Sequence, residues 1–143
     1  MADTAEIVHQ VETMYAAYSG AFNHGDIASV VRYISAPYVM TIGANAPIVA
    51  LTADDVRRMF DANLVRMKGH GWARSDYAIV HVWPLSDGHA LLMTDITRFR
   101  PDGSVLETGR YCYSARRAEP MWQITGVTDV APPFLGPGDF PRA

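Results

Sequence analysis

The sequence predicts an α+β fold: three N-terminal helices packed on a curved, mostly antiparallel sheet of about six strands. Three observations predict it. Apolar residues recur at helical spacing in two long stretches that end before His70. From Trp72 onward the period becomes strand-like, and Val, Ile, Thr, Tyr and Trp dominate. The strand-like runs are divided by Pro- and Gly-containing breaks of hairpin type. In that order, the sheet curls around a pocket and the helices form its lid.

The first helix is expected over residues 5–23, where Ile7, Val11, Met14, Tyr18 and Phe22 form one stripe that Val8 and Tyr15 widen. Gly25 can take the left-handed conformation that ends a helix, and Asp26 can cap the next. Ile27, Val30, Val31 and Ile34 give that second helix a short apolar face, and Pro37 ends it. Tyr38 to Ile42 reads as a strand, Gly43-Ala44-Asn45 as a turn, and Ile48 to Leu51 as a second strand. Thr52-Ala53-Asp54-Asp55 has the form of a capping box, with Asp in place of Glu. Val56, Met59, Phe60, Leu64 and Met67 then carry a third helix, closed by Gly69 and Gly71.

Residues 72–83, 88–100, 104–117 and 121–130 are read as long strands. The breaks between them are Pro84-Leu85-Ser86-Asp87-Gly88, Pro101-Asp102-Gly103 and Ala118-Glu119-Pro120. Residues 1–130 are read as a single domain and residues 131–143 as an irregular Pro/Gly-rich tail.

Composition narrows the function classes. The chain has 143 residues, 49% of them hydrophobic and 19% charged, an ordinary globular balance. Its 12 basic and 15 acidic side chains give a net charge of −3 with no basic cluster, which argues against a nucleic-acid partner. Cys112 is the sole cysteine, so no intrachain disulfide and no thiolate metal cage is expected. No His pair has helical zinc spacing, and neither a metal nor a cofactor is expected. The N-terminus lacks a basic n-region, and no run approaches the ~20 apolar residues of a membrane span. A cytoplasmic location with no membrane contact is the expectation.

A three-residue loop at Pro101-Asp102-Gly103 sets Arg100 opposite Ser104. Simple alternation then sets Asp95 opposite Gly109, Met93 opposite Tyr111 and Leu91 opposite Tyr113. Leu91, Met93, Asp95, Tyr111 and Tyr113 would share one face, joined by Tyr77, Ile79, His81 and Trp83. Val80, Val82, Ala90, Leu92, Thr94, Ile96, Cys112 and Ser114 would share the other. Neither face is polar, and one layer of helices covers only one of them. A homodimer through the outer sheet face is therefore expected.

On the aromatic face Asp95 is the outlier. Buried, its pKa would rise and suit a general acid or base; alternatively it pairs with an arginine or accepts from a tyrosine. His81 interrupts an apolar strand and is either a proton partner or a satisfied histidine. Tyr18 and Tyr111 are candidate hydroxyl donors, and Tyr15, Phe60, Trp83, Met93 and Tyr113 are expected to line the pocket. Arg98, Arg110, Arg116 and Arg117 are expected on the outer face or rim, where one can reach the pocket mouth and bind a carboxylate.

With Ala21-Phe22-Asn23-His24-Gly25-Asp26 and the closing Met121-Trp122-Gln123-Ile124, the chain resembles the NTF2-like, or SnoaL-like, superfamily of cone-shaped domains with a cystatin-like fold. The resemblance rests on an "N-x-G-D" helix break and a last-strand "G-W-x-I" with Met for Gly. The superfamily includes ketosteroid isomerases, cyclases, dehydratases and epoxide hydrolases. Measured against the isomerases, Tyr18 has the spacing to Gly25 of their oxyanion-binding tyrosine, and Tyr111 lies near their second donor. Their carboxylate base would fall at Thr41-Ile42, where none exists. For the hydrolases' Asp-Arg-Asp set, Asp95, Arg110 and Asp129 supply the residue types, but the expected register turns Arg110 away from Asp95. The resemblance implies a pocket for a small, apolar, oxygenated ligand. It serves either cofactor-independent acid–base chemistry by Asp95, Tyr18, Tyr111 and His81, or binding alone; a structural module without a pocket is the remaining reading.

Overall fold

The structure, a computed structural model, describes residues 3–131. Beyond Ala131, the expected tail lies outside the described residues. Helix α1 spans Thr4–Asn23, with Asp3 accepting from Ala5 at its N-cap and Ile7, Val11, Met14, Tyr15, Tyr18 and Phe22 buried. Gly25 adopts φ +67 and turns the chain into α2, Ile27–Val30, which Asp26 caps through Ser29. Helix α2 is shorter than expected: a 3-10 turn, Val31–Tyr33, follows it, and the chain is already extended at Ile34.

Strand β1 runs Ile34–Thr41, so Pro37 lies within a strand instead of ending a helix. It sits where the pairing of β1 is irregular, between Ile34 and Val39. A proline without an N–H is tolerated at such a break. Strand β2 is the short edge, Ile48–Ala50. Helix α3, Ala53–Gly69, starts with the capping box: Thr52 Oγ1 accepts from the Asp55 N–H at 3.1 Å, and Asp55 accepts from the Thr52 N–H at 3.2 Å.

Strands β3 (Arg74–Ser86), β4 (His89–Phe99), β5 (Val105–Ala118) and β6 (Met121–Val130) complete one six-stranded sheet in the order β2-β1-β6-β5-β4-β3. Only β1 and β6 pair in parallel. The helices cover one face, and the core lies between them and the sheet around Tyr15, Tyr38, Leu92, Val11, Val56 and Ile124. No helix among the described residues is long and apolar enough to cross a membrane.

The Asn23 amide ties lid to sheet. Its Nδ2 donates to the Ser75 carbonyl and its Oδ1 accepts from the Ser75 N–H, both at 2.8 Å, as a neighbouring strand would.

Two bulges change the expected faces. At the β4–β5 hairpin, Arg100 N–H donates to Ser104 O and Phe99 faces Val105, as the loop predicts. Leu106 is then unpaired, and Arg98 faces Glu107. Every pair beyond it moves by one: Asp95 faces Arg110, Thr94 faces Tyr111 and Leu92 faces Tyr113. A second bulge at Val80 separates Ile79, opposite Thr94, from His81, opposite Met93. An extra residue in one strand reverses the side chains beyond it.

The helix-facing side of the sheet therefore carries Tyr77, Ile79, Val82, Ala90, Leu92, Thr94, Ile96, Tyr111 and Tyr113. The outer face carries His81, Trp83, Leu91, Met93, Asp95, Cys112 and Ser114. With Asp95, Thr97, Thr108, Arg110 and Thr128 also there, the outer face is more polar than expected. A second copy would therefore meet a less apolar surface there than expected.

Candidate functional site

The cone encloses a pocket of about 270 Å³ between α1, α3 and the inner face of the sheet. Its walls are aromatic. Tyr18 and Phe22 come from α1, Phe60 and Met67 from α3, Tyr38 and Met40 from β1, and Tyr77, Tyr111 and Tyr113 from β3 and β5. The rings interlock: Tyr18 meets Phe60 at 6.5 Å between centroids and Tyr113 at 6.3 Å, and Tyr38 meets Phe60 at 5.7 Å. Trp72 closes the end near Phe22, with its indole N–H donating to Ser75 Oγ at 2.8 Å. The volume lies just under the ~300 Å³ lower end of small-molecule pockets. It exceeds the ~150 Å³ that suffices for benzene.

Polar groups gather toward the mouth. Arg98, on β4, is largely buried and lines the pocket beside Arg66, His70, Asn63 and Glu107. Arg98 Nη1 donates to Glu107 Oε1 at 2.8 Å and to the Tyr111 hydroxyl at 3.2 Å, and its guanidinium carbon lies 5.5 Å from the centre of the Tyr111 ring. Its Nε is sealed from solvent and has no hydrogen-bond partner among the described residues. An unpaired buried donor costs about 1–3 kcal/mol. Burial disfavours the Arg98 cation, but Tyr111 and Glu107 outweigh burial and raise its pKa.

Burial likewise pushes the phenols of Tyr18 and Tyr113 well up. They serve as hydrogen-bond donors, not as bases, at any physiological pH. Asn63 accepts a hydrogen bond from Arg66, which fixes that side chain at the mouth.

The bulge at Leu106 builds this mouth. Without it, Glu107 and Arg98 would not face each other, and Tyr111 would lie on the other side of the sheet. Gly109 completes the arrangement. A Cβ there would lie 2.9 Å from Tyr111 Cε2 and 3.1 Å from its hydroxyl, so the missing side chain is the space the ring occupies. Arg98 is expected at the rim from the sequence, whereas Gly109 and Glu107 are not; a glycine inside a strand two residues before a tyrosine is the available signal.

Of the residues predicted for the site, Tyr18, Tyr111, Phe60 and Tyr113 are brought together around the pocket. Tyr15 lies behind the wall: its hydroxyl and that of Thr94 share a hydrogen bond of 3.2 Å, and its ring stands against Tyr113 at 5.2 Å. Asp95, His81, Trp83 and Met93 fall on the opposite face because of the two bulges. Asp95 is gripped by Arg110, with Nε to Oδ1 at 2.7 Å and Nη2 to Oδ2 at 2.9 Å. The Arg110 hydrogen bonds hold the carboxyl below its usual range, against a lesser opposing effect of burial, so the expected upward shift is reversed. The expectation that Arg110 turns away from Asp95 is corrected by the same one-residue shift. Asp129, on β6 opposite Tyr111, accepts from the Gly43 N–H at 3.0 Å and so ties down the turn after β1. His81 packs on Trp83, with ring centroids 4.7 Å apart. Among the described residues no three His, Cys, Asp or Glu side chains are grouped to hold a metal.

Similarity to known proteins agrees with this architecture. No curated protein is matched by the sequence. Crystal structures with the same fold include a ketosteroid isomerase-like protein from Erwinia carotovora atroseptica SCRI1043. It is 19% identical with a TM-score of 0.61, over 87% of this chain and 97% of that one. An NTF-2 like protein of unknown function from Shewanella oneidensis MR-1 is 14% identical with a TM-score of 0.69, over 85% and 96%. A protein of unknown function with a cystatin-like fold from Nostoc punctiforme PCC 73102 is 13% identical with a TM-score of 0.69, over 93% and 97%. At such identities the likeness is one of fold. The sequence itself matches the NTF2-like protein family DUF6841 over residues 5–132, and the chain belongs to that family.

Proposed function

We propose that the protein binds a small, mostly apolar, oxygen-bearing molecule in the cone. The observation that carries this reading is the aromatic pocket of about 270 Å³ with its polar groups confined to one end. Ring walls supply apolar contact area, and a few fixed donors orient the guest.

Binding is favoured over acid–base catalysis by what surrounds the guest. Asp95 is outside the pocket and engaged by Arg110. Ile42 lines the pocket where the resemblance to ketosteroid isomerases would put a carboxylate base. Tyr18 and Tyr113 hold their protons through burial. Glu107, the one carboxylate in the lining, is occupied by Arg98. An isomerase, cyclase or dehydratase needs a proton acceptor next to the polarised atom, and the described carboxylates near the pocket are each engaged elsewhere.

Native mass spectrometry of the purified protein tests the proposal. A co-purifying molecule that is lost on unfolding, and whose re-addition raises the melting temperature, is the expected result. Substituting Phe60 by Trp fills the pocket, and retained binding in that variant sinks the reading.

A further inference from the structure

From the polar chemistry of the mouth we infer that the guest is a carboxylate, anchored by Arg98; this rests on the binding reading above. Arg98 donates only from Nη1 among the described residues, to Glu107 and Tyr111. That leaves the Nε and Nη2 edge, the same edge with which Arg110 grips Asp95 in two parallel bonds. Arg110 has a carboxylate on that edge, and Arg98 has none among the described residues. Nε of Arg98 is closed to water in the free protein, so two-point binding on this edge requires the surrounding side chains to shift.

The rest of the lining agrees in sign. Arg66 and Arg98 stand against one carboxylate among the described lining residues, Glu107, in a protein whose overall charge is −3. A pocket with low-dielectric walls concentrates that local positive field. Tyr18 adds a further donor: it lines the pocket, and its hydroxyl has no hydrogen-bond partner among the described residues. Donors are in excess, and the acceptors present, Glu107 and Asn63, are already engaged by Arg98 and Arg66. A ring or short chain bearing one carboxylate supplies what is missing, with its apolar body against Phe60, Tyr38 and Tyr113. Glu107 and Tyr111 are positioning residues, which hold the Nη1 side of the guanidinium and leave its other edge without a partner among the described residues.

The test compares acids with their uncharged amides of equal shape: phenylacetate with phenylacetamide, and cyclohexanecarboxylate with its amide, by calorimetric titration of the full chain. The acids are expected to bind about tenfold or more tightly than the amides, and added salt to weaken the acids alone. Arg98→Gln is expected to erase that preference, lowering acid affinity by far more than amide affinity. Arg98→Lys, which keeps the charge and loses the fork, restores only part of it. Amides that bind as well as acids in the wild-type protein overturn the carboxylate assignment and leave the pocket reading standing. Neither series binding overturns both. The wild-type comparison decides the matter even if the Arg98 variants fold poorly.

Discussion

Arg110 closes on Asp95 through two parallel hydrogen bonds of 2.7 and 2.9 Å on the face of the sheet turned away from the helices. A carboxylate that looked catalytic in the sequence is therefore a cross-strand partner. Asp95→Asn is expected to leave phenylacetate affinity unchanged by calorimetry, and a loss of binding would return Asp95 to the site. The variant also has a pH signature. A carboxyl whose folded pKa lies below its unfolded value contributes stability above about pH 4 and loses it as pH falls through the folded value. Both side chains are open to water, so the contribution is small. The gap in melting temperature between wild type and Asp95→Asn is expected to narrow below about pH 4.

Gly109 and Tyr111 make a second pair, in which one residue is defined by the space it leaves. A methyl group at Gly109 would stand 2.9 Å from the Tyr111 ring, which must then swing away and release Arg98. Gly109→Ala is expected to lower acid affinity about two- to tenfold, the worth of one hydrogen bond, and to spare amide affinity. Tyr111→Phe should give the same loss without steric pressure. If Tyr111→Phe binds acids as well as wild type, the hydroxyl has no part in holding Arg98.

Asn23 supplies the fold's connection between lid and sheet. Its amide both donates to and accepts from the backbone of Ser75. Asn23→Ala is expected to reduce stability by about 1–3 kcal/mol, because two part-buried backbone groups lose their partner. Asn23→Asp keeps the acceptor for the Ser75 N–H but sets a carboxylate against its carbonyl. Its denaturant midpoint should fall too, and recover as the pH drops and the acid regains a proton. An unchanged midpoint in both variants would show that the tie is dispensable.

The element order was legible because it is written in period and punctuation. Thr52 and Asp55 announce α3, Gly25 and Asp26 the break between helices, and Pro101-Asp102-Gly103 the hairpin. The face assignment failed at Leu106 and Val80, where one unpaired residue in a strand rich in apolar side chains left no mark on the alternation. With Trp83, Leu91 and Met93 on the outer face as well as Val82, Leu92 and Ile96 on the inner one, a one-residue slip has no visible penalty in the sequence. Asp95 and Arg110 held the clue: a strand-borne acid and a strand-borne arginine are most economically placed opposite each other. That pairing fixes the register that also brings Arg98 to Glu107 and Tyr111.

The buried phenols set the alkaline limit of the fold. Burial raises the pKa of Tyr15, Tyr18, Tyr38, Tyr77 and Tyr113. Above about pH 10 the unfolded chain sheds these protons while the folded chain keeps them, so stability falls as pH rises. A phenol that stays protonated in the fold contributes a slope of about 1.4 kcal/mol per pH unit once the unfolded chain ionises. Stability should therefore fall steeply above about pH 10, and the fold should be lost at alkaline pH. Phenolate absorbance and far-ultraviolet circular dichroism are expected to change together in one cooperative step. Tyr15→Phe removes one of the five and should make that step less steep. Ionisation of all the tyrosines while the dichroism is still native would mean that water reaches the walls of the cone.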